Sequence, residues 1–217
     1  MAGFSYEQTE QSSGKGGGGF FSLKDDRDTA QVRFLFTDIE DVRENYARSV
    51  HEVTIDGKKR WVDCLREYGD PVDACPFCKA GRFLNYKYFL PVYNFKTNTS
   101  QIWERGKKFG GKISSMCSRY PNIVSHIFTI ERNGKAGDQG TQYEIYEEEE
   151  TQGVTIDDFE VQKPLGTLVL QKSAEDMEAY LRNGSFPNSG NSSRGNATEE
   201  HQSYQRRTPA GGRREAF

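Results

Sequence analysis

The sequence predicts a small, mostly-β barrel with few short helices, flanked by disordered tails. Three observations predict it. Apolar and aromatic residues recur in short, strand-length runs broken by Gly, Asp and Asn, and one central stretch looks helical. One histidine and three cysteines are spaced as His51-x12-Cys64-x10-Cys75-x2-Cys78, the pattern of a metal clip. Hydrophobic content is only 34 %, and the lean stretches lie at the two ends, so one core is expected between them.

Taken in order, residues 1–19 end in Gly16-Gly17-Gly18-Gly19 and read as a flexible arm. Phe20 to Leu23 and Gln31 to Phe36 read as strands, with the turn Asp25-Asp26-Arg27-Asp28 between them. His51 to Cys64 reads as a hairpin closed by Asp56-Gly57, because Gly tolerates the positive φ of such turns. Phe83 to Phe95 is a strong β segment ending in a turn at Asn98, and Gln101 to Trp103 starts the next strand. Lys112 to Arg119 is the expected helix. Ile127 to Arg132 and Thr141 to Tyr146 form a last hairpin across the loop 133–140, and Thr167 to Leu170 suits a further strand. Ser173-Ala174-Glu175-Asp176 resembles a capping box, opening a helix that reaches Arg182 and stops at Gly184. Residues 183–217, rich in Asn, Ser, Gly, Arg and Gln, read as a tail. The expected organisation is an arm (1–19), a core (20–150) holding a metal subdomain at about 50–80, an acidic segment with a helix packed on the core (151–182), and the tail (183–217).

Net charge is −3, which alone argues against nucleic acid, but its distribution reverses that. Lys79 to Arg119 carries nine bases and one acid, Glu104. Glu144 to Glu160 carries eight acids and no base. Within it, Glu147 to Glu150 reads either as a solvated turn or as a strand mimic competing with phosphates for a basic groove. No apolar stretch approaches the roughly 18 residues that span a bilayer, and the N-terminus has no apolar signal region, so a cytoplasmic protein without membrane partners is expected. In a reducing compartment, cysteines serve as metal ligands or free thiols more often than as disulfides.

Cys75-Pro76-Phe77-Cys78 brings two thiolates onto one turn, and the preceding hairpin returns His51 and Cys64 to the same corner. Four N and S ligands in a closed shell suit structural Zn2+. Cys117 is the alternative fourth ligand, although core packing beside Met116 suits it better. Catalysis is not expected. Zinc deaminases pair His-x-Glu with Pro-Cys-x-x-Cys, whereas here Glu52 follows His51 directly and Pro76 lies inside the cysteine pair. Four protein ligands also leave no open position for water.

The segment after the clip interleaves aromatic rings with bases. On a strand from Phe83 to Phe95, Lys87, Phe89, Pro91, Tyr93 and Phe95 share one face. With Arg82, Lys96, Trp103 and Arg105, they suit a platform on which bases stack while cations track phosphates. Gly106 to Lys112 is a flexible loop whose Lys107, Lys108 and Lys112 could close over a strand; it lacks the Gly-x4-Gly-Lys-Ser/Thr of a phosphate-cradling loop.

On these residues the chain resembles phage single-stranded DNA-binding proteins of the helix-destabilising type best known from T-even phages. The resemblance is carried by His51, Gly57, Trp61, Cys64 and Cys75 to Gly81, by the aromatic run 86–95 with Gln101-Ile102-Trp103, and by Val32 to Leu35, Phe128 to Arg132 and Thr141 to Ile145. It implies an OB-fold core with an inserted zinc subdomain. It also implies coating of single strands with little sequence preference in replication, recombination and repair, in the cytoplasm of an infected host cell. Phage or host replication and recombination proteins would be partners through the C-terminal tail. The chain departs from the family in two places: its tail has five Arg against three Glu, and Lys15 is the one base before Phe20. Two other readings remain: a zinc-ribbon protein-interaction module of a replication or transcription complex, and an RNA-binding OB protein.

Overall fold

In a computed structural model, which describes residues 19–187 except 136 and 139, eight strands form one sheet. The arm and tail expectations for residues 1–18 and 188–217 lie outside the described residues. β1 (Thr29–Phe34) leads into α1 (Ile39–Asp41), which continues as a π-helical turn, Val42–Tyr46. β2 (Ala47–Ile55), β3 (Lys58–Asp63), α2 (Pro76–Lys79), β4 (Leu84–Asn94) and β5 (Thr99–Gly106) follow. Then come α3 (Gly110–Arg119), β6 (His126–Asn133), β7 (Gln142–Glu150), β8 (Val169–Leu170) and α4 (Ala174–Asn183).

The strand order is β7-β6-β1-β4-β2-β3-β8, with β5 paired to β4. Every pairing is antiparallel except β3 with β8. The sheet is open, consistent with an OB-like barrel, and the molecule is mostly β with few short helices. No helix among the described residues is long and apolar enough to cross a membrane.

Local sequence explains most elements. Asp56 and Gly57 both take positive φ, 50° and 72°, which matches the twist of the β2–β3 hairpin. Asp38 caps α1 by accepting from the Glu40 and Asp41 amides, a helical start the sequence reading passed over. The Ser173 hydroxyl accepts from the Asp176 amide, and Gly184 closes α4 in the left-handed conformation.

Three expectations change. Phe20 to Leu23 is not a strand; it makes one parallel bridge to Ile102 and lays Phe21 and Leu23 into the core. Glu147 to Glu150 is neither turn nor loop but the exposed end of β7, an edge strand. Residues 183–187, expected to open the tail, include Phe186, which is buried against Tyr180.

The core has three clusters. The largest gathers Phe34, Phe36, Leu90, Val92, Trp103, Ile113 and Phe128. A second packs Val53, Val62, Phe77, Met177, Tyr180 and Phe186 around Cys75 and Cys78. A third, of Val50, Phe89, Ile102 and Val169, lies where residues 165–169 cover the sheet. β4 is therefore covered on both faces at its centre, and residues 89–92 are all buried.

That corrects the sequence reading of Phe89 and Trp103 as DNA-contacting residues. Both are fully buried. Trp103 meets Phe21, Phe34, Phe109 and Tyr143 at ring centroid distances of 5.1–6.3 Å, and its indole N–H finds no acceptor among the described residues, so ring contacts hold it. Trp103→Ala is expected to lower stability by about 3–5 kcal/mol, as read from urea unfolding monitored by circular dichroism. A loss below about 1 kcal/mol would show that this ring is not core.

Candidate functional site

β2 and β3 run side by side, with His51 opposite Val62, so the ends of the pair deliver His51 and Cys64 to one corner. The Cys64 amide donates to the Ser49 carbonyl at 2.9 Å, which ties the strand exit to β2. The loop 65–74 then returns the chain to Cys75 at the start of α2. Within that loop the Arg66 guanidinium donates to the Asp70 carbonyl, and Asp70 accepts from the Glu67 amide. Pro76 at the first helical position and the short turn of α2 place Cys78 beside Cys75.

The four ligand atoms all lie within 4.8 Å of one another. His51 Nε2 is 3.6 Å from Cys75 Sγ and 3.5 Å from Cys78 Sγ, and Cys64 Sγ is 3.6 Å from Cys78 Sγ. Metal bonds of about 2.0–2.3 Å at tetrahedral angles give edges of about 3.6–3.8 Å, so the cluster could hold one four-coordinate ion. His51, Cys75 and Cys78 are buried and Cys64 is half-buried. His51 Nδ1 lies 3.1 Å from the Phe83 carbonyl oxygen; donating there orients the ring and leaves Nε2 as the ligand atom. Cys117 sits on α3, packed against the largest cluster, and is not a member of this group.

The electrostatics fit a cation. Burial pushes the Cys64 thiol up to about 12, and the neighbouring Cys75 and Cys78 sulfurs add to it, so without a cation this thiol resists ionisation. Burial also raises Cys75, but amides of Cys78, Leu65 and Phe77 aimed at its sulfur outweigh that and hold it below the usual thiol range. Burial lowers the His51 pKa, favouring the neutral imidazole a metal requires. The Cys78 sulfur raises the Arg66 pKa, so a positive charge faces the cluster.

A second feature lies on the other side of β4. A cleft of about 490 Å³ is lined by Arg105, Lys107, Lys108, Phe109, Lys112, Tyr143 and Glu144, among others. The Arg105 guanidinium lies 4.5 Å from the Trp103 ring centroid and 4.2 Å from that of Tyr143. Burial lowers its pKa, and no carboxylate among the described residues lies within ion-pair distance of it. Lys107 and Lys108 are exposed. Lys112 is 3.5 Å from Glu144 and donates to the Tyr143 carbonyl. A Cβ on Gly110 would lie 2.4 Å from the Tyr88 hydroxyl, so glycine lets α3 start directly over that ring.

Four of the expected contact residues thus converge: Arg105, Lys107, Lys108 and Lys112. Others are spread elsewhere. Lys87 lies on the opposite face, 2.8 Å from Glu104 and 4.7 Å from the Trp61 ring centroid, so its charge is already paired. Tyr93 packs on Phe159 at 5.1 Å, and Phe95 stands edge-on to Tyr93 with Arg33 above it. Lys96 shares a separate shallow pocket with Phe95. Arg82 is exposed beside the metal corner. The sequence reading missed Phe109 and Tyr143, and their signal was weak, because each stands as an isolated aromatic in a polar stretch. Glu147 to Glu150 do not line the cleft; Glu144 does.

The sequence matches no known protein-family model and no curated protein.

The geometry makes α4 depend on the metal corner. Met177 Sδ is 3.9 Å from Cys75 Sγ, and the Tyr180 hydroxyl donates to the Thr54 carbonyl at 3.1 Å while accepting from the Thr54 amide at 2.9 Å. With an ion held by the cluster, its removal by a chelator, or Cys75→Ser, is expected to speed amide exchange in the β2–β3 hairpin, α2 and α4, while β1 and β6 stay protected. Unchanged exchange in α4 after complete metal removal would refute that dependence.

Proposed function

We propose that the chain is a non-enzymatic single-stranded DNA-binding protein whose fold is clipped by one structural zinc ion. The observation that carries the reading is Arg105, set over the rings of both Trp103 and Tyr143 in a cleft that Lys107, Lys108 and Lys112 also line. A charge without a carboxylate partner, beside aromatic faces, suits an anionic backbone carrying unstacked bases. Stacking of about 1–3 kcal/mol per base is blind to sequence, and phosphate contacts release counterions. A DNA duplex keeps its bases stacked inside and offers no ring to Phe109 or Tyr143.

Zinc is favoured by the donor set. One imidazole and three thiolates in a closed tetrahedral arrangement suit an ion without redox chemistry or geometric preference, whereas oxygen-seeking ions find no carboxylate here. His51, Cys64, Cys75 and Cys78 would hold it, and the bound ion would supply folding free energy rather than an open site for chemistry. The resemblance to helix-destabilising phage proteins points the same way, toward strand coating in replication, recombination and repair.

One observation favours a second reading, a protein-interaction module. The metal loop exposes Leu65, Tyr68 and Val72 among Glu67, Asp70 and Asp73, a surface that would repel a nucleic acid.

Binding is best followed by the anisotropy of a labelled dT oligonucleotide, because Trp103 is buried and the Trp61 indole is tied to Glu104. The expected result is tight binding that falls steeply with salt, little binding to duplex, and at least a tenfold loss for Lys107→Ala/Lys108→Ala with a shallower salt dependence. A preference for RNA oligonucleotides of the same length would point to the RNA reading. No binding to either at low salt, in folded and metal-loaded protein, would leave the interaction module.

A further inference from the structure

We infer that a cavity between α3 and β7 binds one nucleotide unit, its base against the apolar lining and its phosphate on Arg119. As the next nucleotide of a bound strand, that unit rests on the single-strand reading and extends it beyond the cleft. As a free mononucleotide it does not depend on that reading.

The cavity holds about 230 Å³ and adjoins the cleft. Drug-sized ligands take about 300–1,000 Å³, so this space suits a single ring system. Its lining is chemically divided. Met116 and Phe128 are buried, and Tyr120 and Ile145 are half-buried. The Tyr120 ring is fixed by His126 at 4.9 Å and, edge-on, by Phe128 at 5.2 Å. Ser115 and Arg119, one turn apart on α3, line the same space and are exposed. No carboxylate among the described residues lies within ion-pair distance of Arg119. An apolar space beside an unpaired guanidinium selects a flat ring that carries an anion. The arginine fork matches two oxygens of a phosphate.

Position ties the cavity to the cleft. Lys112 and Glu144 line both spaces. Their charged groups lie 3.5 Å apart, and Lys112 also donates to the Tyr143 carbonyl. This ion pair is the partition. The two side chains are 36 % and 44 % exposed, so water screens their attraction and a phosphate can displace Glu144 from Lys112 at little cost. A strand that crosses the pair puts one base on each side of it, unstacked from the other. A duplex cannot offer that arrangement.

The test uses the full chain loaded with zinc. Arg119→Ala and Ser115→Trp, the second filling the cavity from an exposed helical position, are compared with the unaltered protein on labelled dT oligonucleotides of increasing length. On the shortest oligonucleotides that bind, both variants are expected to match the unaltered protein. On longer ones each should bind about 5- to 150-fold more weakly. Arg119→Ala should also make the salt slope shallower by about 0.7, the share of one single-strand phosphate, while Ser115→Trp leaves the slope unchanged. Glu144→Gln frees Lys112 and should raise affinity at low salt. Thermal stability should stay unchanged for Arg119→Ala and Ser115→Trp, since both side chains are exposed. Separately, dTMP is titrated into isotope-labelled protein and followed by NMR. Shifts at the Ser115, Tyr120 and Ile145 amides, lost in Ser115→Trp, would mark the free nucleotide as an occupant. If those shifts appear while oligonucleotides of every length ignore the variants, the site belongs to mononucleotides and not to the strand. If the unaltered protein binds no single strand, the functional reading falls, and the dTMP shifts alone sustain the cavity. If all variants bind every oligonucleotide equally well and dTMP shifts nothing, the cavity takes no nucleotide and the cleft stands without it.

Discussion

The hydrogen-bonding of β4 is the constraint on which the rest of the molecule depends. One edge of this strand is divided: residues 84–88 pair with β2 and residues 92–94 pair with β1. Its other edge pairs with β5 from Lys87 to Asn94. The metal hairpin and the main barrel-like core are therefore two ends of one strand. A shift of register by one residue would turn Leu90 and Val92 away from the largest cluster and move Leu84 off His51. The aromatic content of β4 follows from this position: its middle needs bulk on both faces, while its first residues emerge at the metal corner.

The metal corner replaces a core that the chain is too lean to build there. The cluster around it contains few large side chains, and several of them, Met177, Tyr180 and Phe186, come from the last described helix and its exit. Small apolar clusters of this kind hold poorly without a crosslink, and the four side chains drawn from β2, the exit of β3, the entry to α2 and α2 itself would supply one on holding a metal ion. Tyr180 adds a second tie. Its hydroxyl takes both backbone groups of Thr54, where β2 runs past the end of its pairing with β4 and would otherwise leave an amide and a carbonyl without partners.

Short-range chemistry made the elements legible. Asp56-Gly57, Ser173 with Gly184, and the cysteine spacing each encode a local geometry that any surroundings would respect, and each appears where the sequence places it. Which face of β4 meets solvent was not legible. Alternation marks two faces, but β4 lies inside the sheet, and residues 165–169 arrive from about 75 positions downstream to cover the second face. Phe89 was lost from the expected surface for that reason, and Trp103 because it faces the largest cluster. Lys87 was lost through its partner: Glu104, the one acid in the basic segment, lies diagonally across β5 and takes that charge. Arg105, Lys107, Lys108 and Lys112 survive as a group because they are neighbours in sequence, at a strand end and the start of a helix.

Among the described residues, strand β7 ends the sheet with one edge unpaired, and its last four residues are glutamates. An edge strand of nine residues, paired with β6 on one side, would ordinarily invite another chain to add to its other side. A row of carboxylates makes such an addition bring like charges together, so the acidic run acts as a guard against fibrous self-association. One strand therefore has two uses: its first residues, Gln142 to Glu144, line the cleft, and its last four keep other chains off the same edge.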